Sequence, residues 1–352
     1  MQFGQRVRRW LRGLSGSRQG DERPATEDAT PPRPPRPPRL KTGNWPIYWR
    51  WVRRGALVIV LVLALYYPLG SILDHQINDD PGFAPVSVPA GASHSVAAAA
   101  ALITREIDDT GWVANTPPLA SNALLKYGGN MMNFQIGITT AVGVFSVEMR
   151  DQVGRQRGAS ATDPDLVQAA SDIQYDPERW IWRWGRFLPE ASAEDQYRSA
   201  RDHLVAYNQR LAAGEAVFDP RSDNLLAVLN RIALDLGASG AQLEDQIRVG
   251  RTVLIDRRAD KLLYNVKGRA YGHLMILRGL QTDFADVIET RQIGDLYDEA
   301  LIYLEQAATI RPLITQNGAR GGVAANNHLA IQGFYVMLAR ARLREMTDIL
   351  AK

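Results

Sequence analysis

Residues 55–73 read GALVIVLVLALYYPLGSIL, a run of 19 residues without a single charge. About 20 apolar residues in a helix span the hydrocarbon core of a bilayer, so this run has the length of a membrane span. A lone segment in lipid must satisfy its own backbone hydrogen bonds, and it does so as a helix. The run lies between Arg54 and Asp74 and separates a short tail from a large C-terminal part. We expect these two parts to lie on opposite sides of a membrane.

Aromatic rings flank the apolar run at both ends. Tyr66 and Tyr67 lie near its C-terminal end, and tryptophans cluster with arginines before its N-terminal end. Such rings favour the headgroup level of a bilayer, and arginines extend to the same level. On this basis the predicted membrane-interface residues are Trp45, Trp49, Trp51, Arg53 and Arg54.

The apolar run also divides the charge of the chain unevenly. Residues 1–54 hold 13 Lys and Arg against 4 Asp and Glu, a net charge of +9, while residues 74–352 hold 28 against 34, a net charge of −6. Basic residues near a span are retained on the cytoplasmic side. The sequence therefore predicts a cytoplasmic N-terminus, an uncleaved signal anchor at residues 55–73 and an outward-facing large domain.

A signal anchor at residues 55–73 has two alternatives. A cleaved signal peptide is disfavoured, because the 54-residue charged leader is too long for its basic region and no Ala-x-Ala site follows Leu73. A buried core helix is disfavoured by the flanking arginines and tryptophans.

Composition narrows the chemistry and the compartment. The chain contains no cysteine, which excludes disulfides, thiolate metal sites and cysteine nucleophiles. Arg outnumbers Lys 36 to 5, which we read as the bias of a GC-rich bacterial genome. In a bacterium, the outward-facing domain would lie in the periplasm or at the cell exterior.

The N-terminal tail, residues 1–54, lacks the pattern of a packed core. Its first 14 residues place apolar side chains at helical spacing with arginines between them, which is typical of a short helix on an anionic membrane or of a basic disordered tail. Residues 31–39 read PPRPPRPPR, which favours an extended polyproline II conformation. We interpret them as a stiff spacer, with a PxxP ligand as the alternative.

Beyond the span the sequence predicts a linker followed by one helical domain. Residues 74–93 are rich in proline, glycine and small residues, which is typical of an irregular linker. Residues 94–352 show helical periodicity and little strand-like alternation, so the expected fold is an all-α bundle. Helices are predicted over 96–107, from Asp163-Pro164 onward, and over 195–211, 225–236, 260–280, 296–310 and 326–350, with the helix over 225–236 ending at Gly237.

A second uncharged stretch, residues 128–147, lies inside the predicted bundle. It contains amide and threonine side chains, and such polar groups are costly in lipid without partners. Gly137 and Gly143 also weaken a span, and we interpret the stretch as a buried or interfacial helix whose small residues allow close packing. The alternative is a second span, which would return the C-terminal part of the chain to the cytoplasm.

Residues 297–312, YDEALIYLEQAATIRP, resemble the second helix of a tetratricopeptide repeat. Tyr264, Gly268 and Tyr271 have the spacing of the first helix. The gap from Gly268 to Ala300, however, is about 20 residues longer than the repeat allows. At most one interrupted unit is present. The simpler alternative, which we favour, is an ordinary helical hairpin that needs small residues where its helices meet. The positions that match the motif are Ala300, Leu304, Ala307 and Pro312.

A second resemblance extends over most of the chain. It rests on an order of short stretches: NMMNFQ at 130–135, MRD at 149–151, DNL at 223–225, DKLLYNVKGRAY at 260–271 and NNHLA at 326–330. With the single N-terminal anchor, these resemble the family of bacterial inner-membrane proteins called domain of unknown function 2333 (DUF2333). The resemblance implies a helical domain in a Gram-negative envelope, and hence an inner-membrane protein with a periplasmic domain. It implies no activity, cofactor or catalytic residue.

The sequence shows no complete catalytic or metal-binding motif. None of its five histidines has another three to five residues away, so the helical zinc motif is absent, as are the Gly-x-Ser-x-Gly and P-loop motifs. His273 and His328 could meet in the fold with Glu299 near them. A lone histidine on a helix is more often a hydrogen-bonded structural residue, and we expect no metal or cofactor.

The most unusual local cluster reads WIWRW at residues 180–184. Interleaved Trp and Arg side chains can bind a sugar, a lipid headgroup or an anionic polymer. Nucleic acid is not expected as a partner on the outer side of a membrane. The alternative is a helix shared between core and interface, with packed indoles and solvated arginines. The candidate partner or lipid contacts are Trp180, Trp182, Arg183 and Trp184.

Four pairs of carboxylates raise the possibility of glycan chemistry, which needs two acids in a cleft. Acids also favour the starts of helices, which explains most such pairs without any catalytic role. The four pairs are Asp108-Asp109, Asp163 with Asp165, Glu244-Asp245 and Asp283 with Asp286.

Topology, the repeat-like hairpin and the lack of catalytic motifs favour a non-enzymatic function. We expect a membrane-anchored envelope protein whose helical domain binds a protein or lipid-linked partner as a scaffold. The expected partners are therefore the lipid bilayer and an envelope protein. The alternative is a periplasmic enzyme that acts on cell-wall glycan. An exposed apolar groove would support the scaffold, and a deep acid-lined cleft would support the enzyme.

Overall fold

The computed structural model describes residues 45–153, 162–182, 188–249, 256–312 and 327–352. Within these ranges the chain forms eleven α-helices and two five-residue π-helical turns, and no strand. The prediction of an all-α fold is confirmed. The α-helices are α1 Trp45–Asp74, α2 His94–Thr104, α3 Ala123–Gly128, α4 Asn130–Glu148, α5 Pro164–Asp172, α6 Ala193–Ala212, α7 Ser222–Val249, α8 Arg257–Asp283, α9 Ala285–Thr290, α10 Gly294–Ala308 and α11 His328–Leu350.

Helix α1 contains the whole apolar run. Over Ile47–Asp74 it is long and apolar enough to cross a membrane, and its most apolar 18-residue window has a mean hydropathy of 2.4. It is the one helix of the described residues that meets this test. Only 6% of its most apolar window is buried, whereas the core helix of a soluble protein would be covered. The alternative of a buried core helix is therefore wrong.

The contacts divide the chain into two compact units between Gly55 and Ala56. Of the first unit, the structure describes the residues that begin α1. The second unit holds the remainder of α1 and all the other helices.

Helix α8 lies at the centre of the bundle. It packs against α2, α4, α7, α10 and α11, and its buried face extends from Ala259 to Leu280. One continuous apolar core joins these helices, with α5 and α6 packed at its side. Two π-helical turns, Arg105–Asp109 and Met149–Val153, extend α2 and α4.

Helix α4 is the second uncharged stretch, and it is buried in this core. It crosses α8 where two glycines face each other: a Cβ on Gly268 would collide with the carbonyl oxygen of Phe134 and lie 2.9 Å from its carbonyl carbon. A Cβ on Gly137 would lie 2.8 Å from the backbone nitrogen of Arg269. The prediction of a buried helix with small residues at its contact is confirmed.

Local signals placed the start of α5 correctly. The Asp163 carboxylate accepts hydrogen bonds from the backbone N–H groups of Asp165 and Leu166, and Pro164 occupies the first turn. Proline suits that position because its missing N–H would have no partner there.

The predicted end of a helix at Gly237 is wrong. Helix α7 continues through Gly237 and Gly240 to Val249. These glycines lie against α11, where a Cβ would come within 2.9 Å of Arg340 Nε and 2.7 Å of Met337 Sδ. They permit close packing of two helices, a role that local sequence does not distinguish from a helix stop.

The stretch that resembles a tetratricopeptide helix forms α10. Ala300, Leu304 and Ala307 are buried, and α10 packs against α8 and α11. Gly268, at the position of the first-helix glycine, contacts α4 rather than α10. This is the ordinary helix packing that the simpler alternative predicts.

Residues 75–93, here called the connecting segment, form no helix. The segment is nevertheless part of the bundle, because Asp79 is buried and Ile77 and Phe83 pack against the core. Its irregular backbone agrees with the predicted linker, but a free linker would not contribute to the core.

Candidate partner-binding groove

A groove lies between the C-terminal half of α7 and the N-terminal half of α11. Its cavity measures about 540 Å³, within the range of small-ligand and peptide sites. Small and apolar residues form most of its lining, and polar groups stand among them. The lining residues are Gly237, Gly240, Ala241, Leu243, Glu244 and Ile247 of α7, with Asn327, Ala330, Gly333, Phe334, Met337 and Arg340 on the α11 side.

The groove is formed where glycines, which have no side chains, lie on the facing helices. Gly237 and Gly240 are three residues apart and therefore lie on one face of α7. Gly333 of α11 contributes further space, since a Cβ there would make only ordinary contact with Leu243 at 3.6 Å. Because three glycines lie at this contact between two helices, no side chains fill its solvent side, and the groove remains open there.

Apolar side chains of α11 stand exposed beside this groove. Ile331, Phe334 and Met337 follow one another at intervals of three residues, and Phe334 is 60% exposed. The Phe334 ring packs edge-on against Tyr335 at 5.5 Å between centroids, which restricts its motion. A row of exposed apolar residues beside a concave apolar cavity is typical of a surface that receives a partner helix or an acyl chain.

Polar groups mark the ends of the groove. Arg340 contributes a cation, and its Nε atom has no hydrogen-bond acceptor among the described residues. Glu244 and Asn327 are the other polar side chains of the lining. The lining offers recognition by shape and apolar contact, with a polar group to fix orientation, and among the described residues Glu244 is its one carboxylate.

A second depression of about 340 Å³ lies between α4 and the segment that follows α5. Thr139, Thr140 and Gln174 supply polar groups, and Arg231 supplies a cation. Among the described residues its lining contains no carboxylate.

Each of the four carboxylate pairs has at least one member engaged in a structural contact. Asp108 bonds Arg198 at 2.8 Å and also pairs with Arg201. Burial raises the pKa of Asp108, but these two arginines outweigh it and hold the pKa below its usual value. The carboxylate therefore stays ionised at neutral pH and does not suit a general acid.

Asp163 and Asp165 share one cation. Arg210 donates to Asp163 at 2.8 Å and also pairs with Asp165, which in addition bonds His203 Nδ1 at 2.9 Å. Burial raises the pKa of Asp165, and the bonds from His203 and Arg210 more than reverse this and lower it.

The remaining pairs lie at helix surfaces and ends. Asp283 receives the backbone N–H groups of His94 and Ser95 and so caps α2. Asp245 pairs with Arg248 at 2.5 Å on the exposed side of α7. These placements agree with the interpretation that acids gather at helix termini and solvated faces.

The described part of the tryptophan cluster, Trp180 to Trp182, lies in an irregular segment and not in a helix. Trp180 is 39% and Trp182 53% exposed, and Ile181 between them is also exposed. The alternative of a helix with packed indoles is therefore wrong for these residues. Arg183 and Trp184 lie outside the described residues.

The predicted membrane-interface residues lie at the start of α1. Trp49, Trp51, Arg53 and Arg54 are exposed, and the Arg54 guanidinium stacks over the Trp51 ring at 5.6 Å. Trp45 is the first residue of the helix.

The histidine grouping considered from the sequence takes different partners. His273 is fully buried, and its Nε2 atom bonds Asp235 of α7 at 2.9 Å, while Arg269 donates to the same carboxylate at 2.6 Å. Burial raises the pKa of Asp235, and the bonds from His273 and Arg269 more than reverse this and lower it. Glu299 instead bonds Arg342 of α11 at 2.5 Å. His273 thus has the structural role expected of a lone helix histidine.

Sequence reasoning missed a buried ionic cluster centred on Asp79. The side chains of Asp79 and Lys267 are both buried and bond at 2.6 Å, and Lys267 also donates to the Ile310 carbonyl at 2.8 Å. Arg311 pairs with the same carboxylate. Burial raises the pKa of Asp79, yet the bonds from Arg311 and Lys267 lower it overall. A lysine within the KGRAY stretch was the available signal, since it interrupts an otherwise buried helix face.

A second buried polar cluster attaches the connecting segment to the bundle. Arg105 bonds Glu106 at 2.6 Å, donates to the Tyr271 hydroxyl at 2.7 Å and stacks over Phe83 at 4.6 Å. The Tyr271 hydroxyl in turn donates to the Asp80 carbonyl at 2.7 Å. Burial raises the pKa of Glu106 against the opposing effect of Arg105. Arg105 and Glu106 are both buried and pair in charge, and in the first cluster the buried Asp79–Lys267 pair is joined by the exposed Arg311. Both clusters attach the connecting segment to the bundle.

A family model described as an uncharacterized protein conserved in bacteria matches residues 93–257 and 255–352. The chain belongs to the DUF2333 family. No curated protein and no solved structure matches it. The match begins just before α2 and covers the bundle, so α4, α8 and both walls of the groove are parts of the DUF2333 domain. Membership assigns no activity, and the function must be argued from the geometry.

Proposed function

We propose that this DUF2333 protein is a single-pass bacterial inner-membrane protein whose periplasmic helical domain binds an envelope partner without catalysis. The observation that carries the proposal is the α7/α11 groove, an apolar trough beside exposed Phe334 and Met337. The proposed partner is a protein that presents an apolar or amphipathic helix, or a lipid-linked molecule with one acyl chain.

The anchoring part of the proposal rests on α1. Its side chains from Leu57 to Leu73 are largely exposed and apolar, a state that is costly in water and stable in lipid. The net charge of +9 before the span and −6 after it supports a cytoplasmic tail and a periplasmic domain.

The binding part rests on the shape and composition of the groove. Burying a side chain such as Phe334 stabilises a complex by about 1.5–3 kcal/mol, and three such residues line up along α11. A helix that adds its own apolar stripe would fill the trough that Gly237, Gly240 and Gly333 leave.

A crosslinking experiment in cells tests the groove. A photoreactive residue at Phe334 should give one defined adduct, and the same residue at Ile302 should not. Ile302 is the matched control because it is 56% exposed and apolar but lies on α10. Gly333→Leu should remove the Phe334 adduct, since the new side chain enters the trough without meeting backbone.

Two results would contradict the binding proposal. Identical adducts at both positions would show that contact follows exposure rather than the groove. An adduct that persists in Gly333→Leu would place the partner elsewhere on α11.

A further inference from the structure

The bundle touches the membrane helix near the C-terminal end of the apolar run. The Tyr67 hydroxyl donates to the Pro118 carbonyl at 2.9 Å, and the Tyr66 hydroxyl donates to the Leu119 carbonyl at 3.2 Å. These carbonyls belong to residues 117–121, here called the contact loop, which precedes α3. Two neighbouring tyrosines thus bond the same loop.

Gly70 brings the contact loop directly onto α1. A Cβ at Gly70 would lie 2.6 Å from the carbonyl carbon of Ser121 and would overlap its side chain. Gly70 is buried although Leu69 and Ile72 of α1 are exposed. Only glycine permits this approach, because the obstacle is backbone and cannot move aside.

The length of the apolar run fixes the depth of this contact. From Ala56 to Leu73 the helix rises about 26 Å, less than the ~30 Å thickness of a hydrocarbon core. The run must therefore be used in full to cross a bilayer. Tyr66, Tyr67 and Gly70 then lie within the span, in the leaflet at its C-terminal end, and the contact loop must reach that leaflet.

The composition of the contact loop suits a membrane interface. No charged residue occurs between Asp109 and Lys126. Leu119 at the tip is 85% exposed, and Leu124 and Tyr127 of α3 are exposed nearby in sequence. A loop in water carries polar residues at its tip, whereas an apolar tip beside a span is stable in lipid.

Several backbone polar groups of the contact loop have hydrogen-bond partners within the protein. Pro117 and Pro118 have no N–H groups, and the Pro117 carbonyl accepts the Ala120 N–H at 3.0 Å. The carbonyls of Pro118 and Leu119 accept the two tyrosine hydroxyls. Irregular backbone is not stable against the hydrocarbon core itself, where no water is present. These bonds reduce the number of unpaired backbone groups in the contact loop, which suits the interface, where water supplies the remaining partners.

The residues that precede Trp180 are bonded to residues on either side of the contact loop. Asn115 Nδ2 donates to the Arg179 carbonyl at 2.9 Å, and Lys126 pairs with Glu178 at 3.7 Å. Glu178 and Arg179 directly precede Trp180, so these contacts place the exposed Trp180 and Trp182 near the contact loop. Indole rings favour the headgroup level, so they extend the same apolar surface.

We propose that the contact loop inserts into the interface of the leaflet at the C-terminal end of α1, with Trp180 and Trp182 beside it, as a second membrane contact. The lipid surface is the occupant. This inference rests on the proposed anchoring by α1, and it adds that the bundle lies on the membrane in a fixed orientation. A single span would allow the bundle to swing, whereas the contact loop sets its face toward the lipid.

The absence of native cysteine allows a direct depth measurement on the full chain. Single variants Leu119→Cys and Ile302→Cys would carry a polarity-sensitive fluorophore in nanodiscs of phosphatidylethanolamine and phosphatidylglycerol. The label at 119 should shift to the blue and lose emission when the lipid acyl chains are brominated. The label at 302, an exposed position of α10, should instead be quenched by aqueous iodide.

The possible outcomes separate this inference from the anchoring itself. A label at 119 that iodide quenches and brominated lipid does not, in protein that still floats with vesicles, overturns the insertion alone. A label shielded from both quenchers overturns it in favour of cover by a second copy. Protein that does not float with vesicles contradicts the anchoring.

A second pair of variants tests the role of the helix–loop contact. Gly70→Leu should expose the label at 119 to iodide, because the loop can no longer approach α1. Gly55→Leu is the matched control, since nothing lies within 4 Å of a Cβ there, and it should leave the label in lipid. Equal behaviour of both variants would show that Gly70 does not position the loop.

Discussion

At the scale of single residues, two glycines set the distance between α4 and α8. A Cβ on Gly268 would meet the backbone of Phe134, and a Cβ on Gly137 would meet the backbone of α8. The buried faces on either side of the crossing depend on this approach. Gly268 lies in the KGRAY stretch, so the sequence pattern marks the position, although only the fold shows what it faces.

We expect Gly268→Ala to destabilise the bundle at the upper end of the ~1–3 kcal/mol that overpacking costs, because backbone cannot yield to the added methyl group. Gly294→Ala is the control, since its Cβ would meet nothing within 4 Å. Chemical denaturation of the full chain in detergent, followed by circular dichroism, measures both. Equal stability of the two variants would show that α4 and α8 have room to separate.

At the scale of elements, α7 shows what local signals leave undecided. Its first half was predicted from periodicity, but the predicted stop at Gly237 was wrong because glycine both ends helices and permits close helix contacts. The choice depends on whether α11 lies alongside. The groove, which needs the second half of α7, could not be found from the sequence for the same reason.

The connecting segment is an element held by ionic contacts rather than by its own structure. Asp79 joins it to Lys267 of α8 and to Arg311 beyond α10. We expect Asp79→Asn to lower the free energy of unfolding by about 3–5 kcal/mol, because Lys267 would remain buried without its counter-ion. Asp245→Asn, which breaks an exposed pair with Arg248, should change it little.

The same variant should alter the pH dependence of stability. The pKa of Asp79 is lower in the folded protein than in the unfolded chain. Its contribution is therefore complete above the unfolded value near 3.8 and is lost as the pH falls through the folded value. The stability of Asp79→Asn should decline less in acid than that of the native chain. Parallel acid profiles would show that Asp79 does not contribute.

At the scale of the whole molecule, the prediction is the topology. Alkaline phosphatase fused after Lys352 should be active, because it folds only in the periplasm, and a green fluorescent protein fused at the same place should be dark. The fluorescent fusion placed before Met1 is the control and should be bright. The opposite pattern at Lys352 would reverse the orientation and contradict the periplasmic domain.

The sequence by itself determined the apolar helix, the helical class and the membership of DUF2333. Hydrophobic run length, periodicity of 3.6 and ordered short motifs are local properties, and each can be read without knowing which segments meet. It also indicated that residues 128–147 are buried, because their amides and glycines suit a protein neighbour better than lipid.

Only the tertiary structure decided where the groove lies, that Asp79 is buried against Lys267, and that Gly70 meets Ser121. Each depends on residues far apart in the chain, which the bundle brings together as it buries its core. A glycine, an aspartate or an exposed leucine has several roles open to it in sequence. The neighbour that packing supplies selects one of them.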